Sequence, residues 1–153
     1  TLDQAVAREI EPDVPPPARR LEALRTISQA GVPTAVLLAP VLPGLTDAEA
    51  HLADVVHAAR AHGASSLWTN ALHLGDVTRD AFFEYLETRR PELLPQYQRL
   101  YRGKYAPAQY REQVQSIVAE IKRRAGFPPR DRPRPEPRPA AAKEPEQMAL
   151  FAR

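Results

Sequence analysis

The sequence predicts an α/β fold in which helices alternate with parallel strands. Two short apolar runs, residues 34–39 and 66–72, lack the alternation of a half-buried strand. Continuous apolarity of that length suits strands covered on both faces. Each run is followed by a segment with helical spacing, and Gly31 and Gly63 stand where helices stop. Right-handed crossovers make a parallel layer the natural product of that order.

Residues 1–17 carry no periodic element beyond a short turn around Asp3–Ile10, and Glu11-Pro12-Asp13-Val14-Pro15-Pro16-Pro17 reads as a connector, because prolines fix φ and remove donors. A helix begins at Ala18, with Ala23, Leu24, Ile27 and Ala30 on one stripe, and the first strand follows at Thr34–Ala39. Thr46-Asp47-Ala48-Glu49 has the form of a capping box, ahead of Leu52, Val55, Val56 and Ala59 at helical spacing. The second strand at Ser66–Leu72 leads through Gly75-Asp76 to a helix over Thr78–Arg89 that buries Phe82, Tyr85 and Leu86. A short helix near Pro95 ends at Gly103, and a longer one spans Ala108–Arg124 with Tyr110, Val114, Ile117, Val118 and Ile121 on one face. Trp68, inside a strand, reads as core.

Composition bounds the chemistry. The chain has 153 residues, 43% apolar and 26% charged, which suits one packed domain and a tail. No run approaches the roughly 18 apolar residues of a membrane span, and nothing addresses the chain elsewhere, so cytoplasm is the expectation. Cysteine is absent, which excludes disulfides, thiolate metal sites and catalytic cysteines. From Lys122 onward nine basic and four acidic residues give 9 − 4 = +5, against 12 − 15 = −3 before it. The chain begins at Thr1 and its single methionine is Met148, so it reads as a piece of something longer.

The stretch from Thr1 to about Val114 resembles the second half of a radical S-adenosylmethionine protein of the spore photoproduct lyase-like, or DNA repair photolyase-like, group. The runs that carry the resemblance are Thr1-Leu2-Asp3, Ala7-Arg8-Glu9-Ile10-Glu11-Pro12, Arg20-Leu21-Glu22-Ala23-Leu24 and Ala30-Gly31-Val32-Pro33. Ala39-Pro40-Val41-Leu42-Pro43-Gly44-Leu45-Thr46-Asp47 is the most diagnostic, and Leu72-His73-Leu74 and the segment from Leu100-Tyr101 to Tyr110 continue it. The resemblance implies the C-terminal half of a partial (βα)6 barrel, with the two strands as its fifth and sixth. The chain is thus read as barrel (1–90), helical extension (91–126) and a Pro/Arg-rich tail (127–153), the tail expected to be disordered because it has almost no apolar content to offset ordering entropy. The resemblance also implies a parent enzyme that cleaves S-adenosylmethionine reductively with a [4Fe-4S] cluster. The cluster's C-x-x-x-C-x-x-C loop belongs to the missing N-terminal half, so this chain alone is expected to be inactive.

Ligands of parallel sheets gather at the C-terminal strand ends. By resemblance, Pro40, Val41, Leu42, Pro43 and Gly44 face the adenine, with Asn70, Leu72 and His73 at the end of the second strand. Arg8, with Glu11, stands where relatives hold the ribose and amino-acid end of the cofactor; an Arg–Glu pair tying down the connector is the competing account. Half a barrel is further expected to leave Val36, Leu38, Leu67 and Leu72 uncovered.

Other patterns point elsewhere. His51, His57 and His62 lack the i, i+4 spacing of helical metal ligands and read as solvent-side residues. Tyr97, Tyr101, Tyr105 and Tyr110 interleave with Arg99, Arg102, Lys104 and Arg111, a pattern suited to DNA, though helix spacing also buries these tyrosines. Gln147-Met148-Ala149-Leu150-Phe151 is similar to the bacterial sliding-clamp-binding peptide, with Gln147, Leu150 and Phe151 as its anchors. The alternative to an enzyme part is therefore a non-enzymatic DNA- or clamp-binding module.

Overall fold

The computed structural model describes residues 1–129. The elements run in the order α1 (Gln4–Ile10), α2 (Pro17–Gln29), β1 (Ala35–Val41), α3 (Glu49–Ala61), β2 (Ser66–Ala71), α4 (Asp76–Arg89), α5 (Leu94–Leu100) and α6 (Ala108–Arg124). The turn expected at Asp3–Ile10 is a helix, capped by Asp3 Oδ1, which accepts from the Ala5 and Val6 amides. Proline at the first position of α2 sets its φ for the helix, and Gly31 ends the segment in the left-handed region. The capping box does not form. Ala48 is the N-cap of α3, and the Thr46 hydroxyl instead accepts the Leu42 amide at 2.9 Å, closing the loop after β1.

β1 and β2 pair in parallel with Ala35 beside Ser66 and Leu37 beside Trp68, and the register shifts between Leu38 and Val41. The sheet has these two strands alone among the described residues. The expected half of a (βα)6 barrel is therefore not what forms: among the described residues, six helices and a two-stranded parallel sheet make a small α/β domain. The physical reason lies in α6. It returns across the layer to pack on α3 and β2, and its Lys122 ammonium donates to the Leu67 carbonyl at 2.6 Å.

One core cluster joins Leu38, Val41 and Leu67 of the strands to Leu52, Val56 and Ala59 of α3 and Val114, Val118 and Ile121 of α6. Burying each large side chain of this kind stabilises by roughly 1.5–3 kcal/mol. The second cluster packs the loops at the strand ends, through Leu42, Leu45, Leu72 and Leu74, against Leu86, Tyr97 and Tyr101. Leu38, Leu67 and Leu72 are thus buried rather than uncovered, and Val36 is half-buried. Trp68 is not core: it is 47% exposed, beside Leu37 at 62%.

α6 shares a core with the strands, and Phe127 is buried with the Arg60 guanidinium 5.5 Å over its ring. Across the molecule, Glu9 of α1 accepts from Arg90 through both carboxylate oxygens and from the Tyr85 hydroxyl at 2.7 Å. That network fastens α1 to the end of α4. Among the described residues no helix is long and apolar enough to cross a membrane.

Candidate functional site

A cavity of about 470 Å³ opens between α1, α2 and β1. Its walls are mostly apolar, with Val6 and Ile10 from α1, Leu24 and Ile27 from α2, and Val36 and Leu38 from β1. Polar groups are few: Thr1, Glu11, Arg20, Thr46 and His51. Size and lining match a small-molecule site, in which a mainly apolar cleft is oriented by a few polar groups. Arg20 and Glu11 form an ion pair at 3.2 Å, and both also border a neighbouring depression of about 180 Å³.

The residues expected around a cofactor separate into three places. Pro40 and Leu42 border the large cavity, whereas Arg8 borders the neighbouring depression. Glu11 is paired with Arg20 rather than Arg8. Val41, Leu42 and Pro43 are buried, so their side chains serve the core more than an open wall. Gly44 sits in the left-handed region at φ 73°, its amide donating to Asp47 Oδ1 at 2.8 Å. Asn70 is exposed on β2, and Leu72 is buried beneath the Tyr101 hydroxyl, which donates to its carbonyl at 3.1 Å. His73 is exposed and its ring meets that of Tyr105 at a tilt of 32°, with centroids 4.5 Å apart.

The tyrosine series resolves chiefly as packing. Tyr97 and Tyr101 are fully buried and stack on each other, and the half-buried Tyr110 donates its hydroxyl to Asp47 Oδ2 at 3.0 Å. Burial, reinforced by the Asp47 charge, pushes the Tyr110 phenol above its usual range and keeps it a donor. Tyr105 alone of the four is exposed, at 61%, with the Arg111 guanidinium 5.9 Å from its ring.

His51 was not legible as a site residue. It lines the cavity, and its Nδ1 is buried with no hydrogen-bond partner among the described residues. Its position four residues before Val55, at the margin of the apolar stripe, was the available signal. His57 is exposed as expected, while the His62 Nδ1–H donates to the Ala58 carbonyl at 2.7 Å. Gln147, Leu150 and Phe151 lie outside the described residues.

Fold and cavity define a small α/β domain with an apolar cleft beside the first strand. Proteins described as uncharacterized, from Mycobacterium tuberculosis (strain ATCC 25618 / H37Rv) and Mycobacterium bovis (strain ATCC BAA-935 / AF2122/97), are 37% identical to it over 150 residues. The match takes in 97% of this chain and 44% of each relative, so the chain spans less than half the length of the curated relatives it matches. No family model matches the sequence, and no solved structure matches it.

Proposed function

We propose that this chain is the C-terminal part of a radical S-adenosylmethionine enzyme, of the DNA repair photolyase-like group, acting in the cytoplasm. The observation that carries the reading is the turn Pro40–Asp47 at the end of β1. It holds the run on which the resemblance rests, and it brings Pro40 and Leu42 to a cavity of about 470 Å³. That volume and its apolar lining suit a purine and part of its ribose. Arg20 and Glu11, the charged pair at the same cavity, are the groups for the polar end of the ligand.

The cluster is a different matter. A [4Fe-4S] centre needs thiolates and this chain has no cysteine, so the residues here do not fit it. Holding it falls to another part of the longer protein. If S-adenosylmethionine binds, it would supply hydrogen-atom abstraction, and Pro40, Leu42, Arg20 and Glu11 are the residues that would hold it here. This chain's own work is to bind and orient: the Asp47 carboxylate holds the Gly44 amide, Thr46 holds the Leu42 amide, and Tyr110 holds Asp47.

A second reading, a DNA- or clamp-binding module, is favoured by one observation. Residues 95–111 contain Arg99, Arg102, Lys104 and Arg111 and no acidic residue, and the exposed Tyr105 in this stretch meets the His73 ring, although Lys104 is paired with Asp76.

The test uses the full-length Mycobacterium tuberculosis relative, purified without oxygen. It is expected to carry iron and sulfide and to bind S-adenosylmethionine, while this chain alone assembles no cluster. A relative that carries neither iron nor sulfide after reconstitution would overturn the enzyme reading. Binding of a single-stranded oligonucleotide by this chain, abolished in Tyr105→Ala, would then favour the module.

A further inference from the structure

We propose that α1 is a lid on the cavity beside β1, latched shut by Glu9 and swung on the connector of residues 11–16. This role rests on the cavity being the ligand site proposed above, and it sets what governs access to that site. Val6, Ala7 and Ile10 share one face of α1, and all three line the cavity. A helix of seven residues does not hold itself in water. Its place therefore depends on what fastens it to the rest of the molecule.

That fastening is slight, and it is polar. Ala7 is the one buried residue of α1. Among the described residues, the side-chain hydrogen bonds from α1 to another helix all converge on Glu9. Its carboxylate accepts from Arg90 Nε at 3.0 Å and Nη2 at 2.5 Å, and from the Tyr85 hydroxyl at 2.7 Å. Two-pronged pairing of this kind fixes geometry as well as adding strength. Glu9 and Arg90 are 25% and 32% exposed, so the pair is sheltered yet within reach of water. A latch needs both properties, because it must hold and must also exchange its partners for solvent. A wall built to stay is fastened by buried apolar side chains, as α3 and α6 are.

The connector supplies the hinge. Residues 11–16 are exposed, and the one backbone hydrogen bond within them runs from the Val14 amide to the Glu11 carbonyl at 3.2 Å. Pro12, Pro15 and Pro16 hold their own φ, which leaves Glu11, Asp13 and Val14 to absorb a change of direction. The Glu11–Arg20 ion pair beside them is open to water and adds little restraint. On the other side of α1, Leu2 packs on the first core cluster, so the helix moves as a short flap between two anchored points.

Because the chain has no cysteine, one introduced thiol is a unique reporter. Ala7→Cys puts it beneath the lid, where the cavity has room for the added sulfur, and Val118→Cys puts it in the core as a reference. Reaction of the full chain with dithionitrobenzoate is followed by absorbance, and its rate tracks how often each site opens. Glu9→Gln and Arg90→Ala are each expected to speed reaction at position 7 by roughly tenfold or more while leaving position 118 unchanged. Combined, they are expected to do no more than either alone, since each releases the same latch. Saturation with the apolar fluorophore anilinonaphthalene sulfonate is expected to slow reaction at position 7 severalfold, by filling the space under the lid. A rate that neither Glu9→Gln nor Arg90→Ala changes overturns the lid and leaves the cavity standing as a ligand site. A rate indifferent to the fluorophore overturns the cavity as a ligand site, and the lid with it. Equal acceleration at positions 7 and 118 also overturns the lid, because the whole fold would then be loosening.

Discussion

The Tyr110 hydroxyl on α6 donates to Asp47 Oδ2 at 3.0 Å, joining the last described helix to the turn after β1. The other oxygen of the same carboxylate accepts the Gly44 amide at 2.8 Å. One side chain therefore holds the turn from within and ties it to a helix more than sixty residues away.

Removing each half of that arrangement should have different effects. Tyr110→Phe loses a hydrogen bond to a charged acceptor and should cost about 1.5–3 kcal/mol. Asp47→Ala loses both bonds and should cost more. Chemical denaturation of the three proteins checks the order, and equal stability of wild type and Tyr110→Phe would show the bond to be idle.

Tyr97 gives the opposite expectation. Its ring is fully buried and its hydroxyl has no partner among the described residues. A buried unsatisfied hydroxyl costs about 1–3 kcal/mol. Tyr97→Phe should therefore be neutral or stabilising, raising the Tm by up to several degrees. A lowered Tm would mean that the hydroxyl has a partner, such as a buried water.

Gly44 and Gly126 both lie at φ 73°, but their surroundings differ. An added Cβ at Gly44 would stand 2.9 Å from Leu93 Cδ2 and 3.2 Å from Gln96 Oε1, whereas nothing lies within 4 Å at Gly126. Gly126→Ala should cost about 1–2 kcal/mol, the left-handed penalty alone. Gly44→Ala should cost that and a further increment for moving two side chains. Melting curves of the pair read the difference directly.

Glu9 supplies an acid-sensitive tie. Hydrogen bonds from Arg90, and then from Tyr85, hold its carboxyl below the usual range of about 4.5. A group whose folded pKa is depressed contributes stability above its unfolded pKa and loses it as pH falls through the folded value. The stability gap between wild type and Glu9→Gln should be largest near neutrality and should shrink steadily below about pH 4.5. A gap that is constant from pH 7 to pH 3 would contradict the role assigned to the ionised carboxylate.

Much of the element order was legible because its signals are local. Gly31 and Gly63 stop helices, prolines open α2 and mark the connector, and the stripe Val114, Ile117, Val118 and Ile121 announces a buried face. The site was less legible. Pro40 and Leu42 do border the cavity, but His51 has the pattern of a solvent-side residue, and the Arg–Glu pair at the connector forms between Arg20 and Glu11 rather than Arg8 and Glu11. The Thr46–Glu49 pattern is a capping box in sequence, yet Thr46 bonds backward to Leu42 because the turn after β1 offered it a nearer amide.

By itself, the sequence determined the order of helices and strands from α2 onward, that the strands run parallel, and that this chain supplies no thiolate. Backbone geometry, helix periodicity and composition act within a few residues, so no distant segment was needed to read them. Only the tertiary structure decided which apolar faces are covered. Leu67 and Trp68 are chain neighbours of similar character, yet one is buried under α6 and the other lies half in water. The pleat sends them to opposite faces, and only α6, some fifty residues further along, selects the face to cover. The same selection set the Lys122 ammonium of α6 against the Leu67 carbonyl of β2.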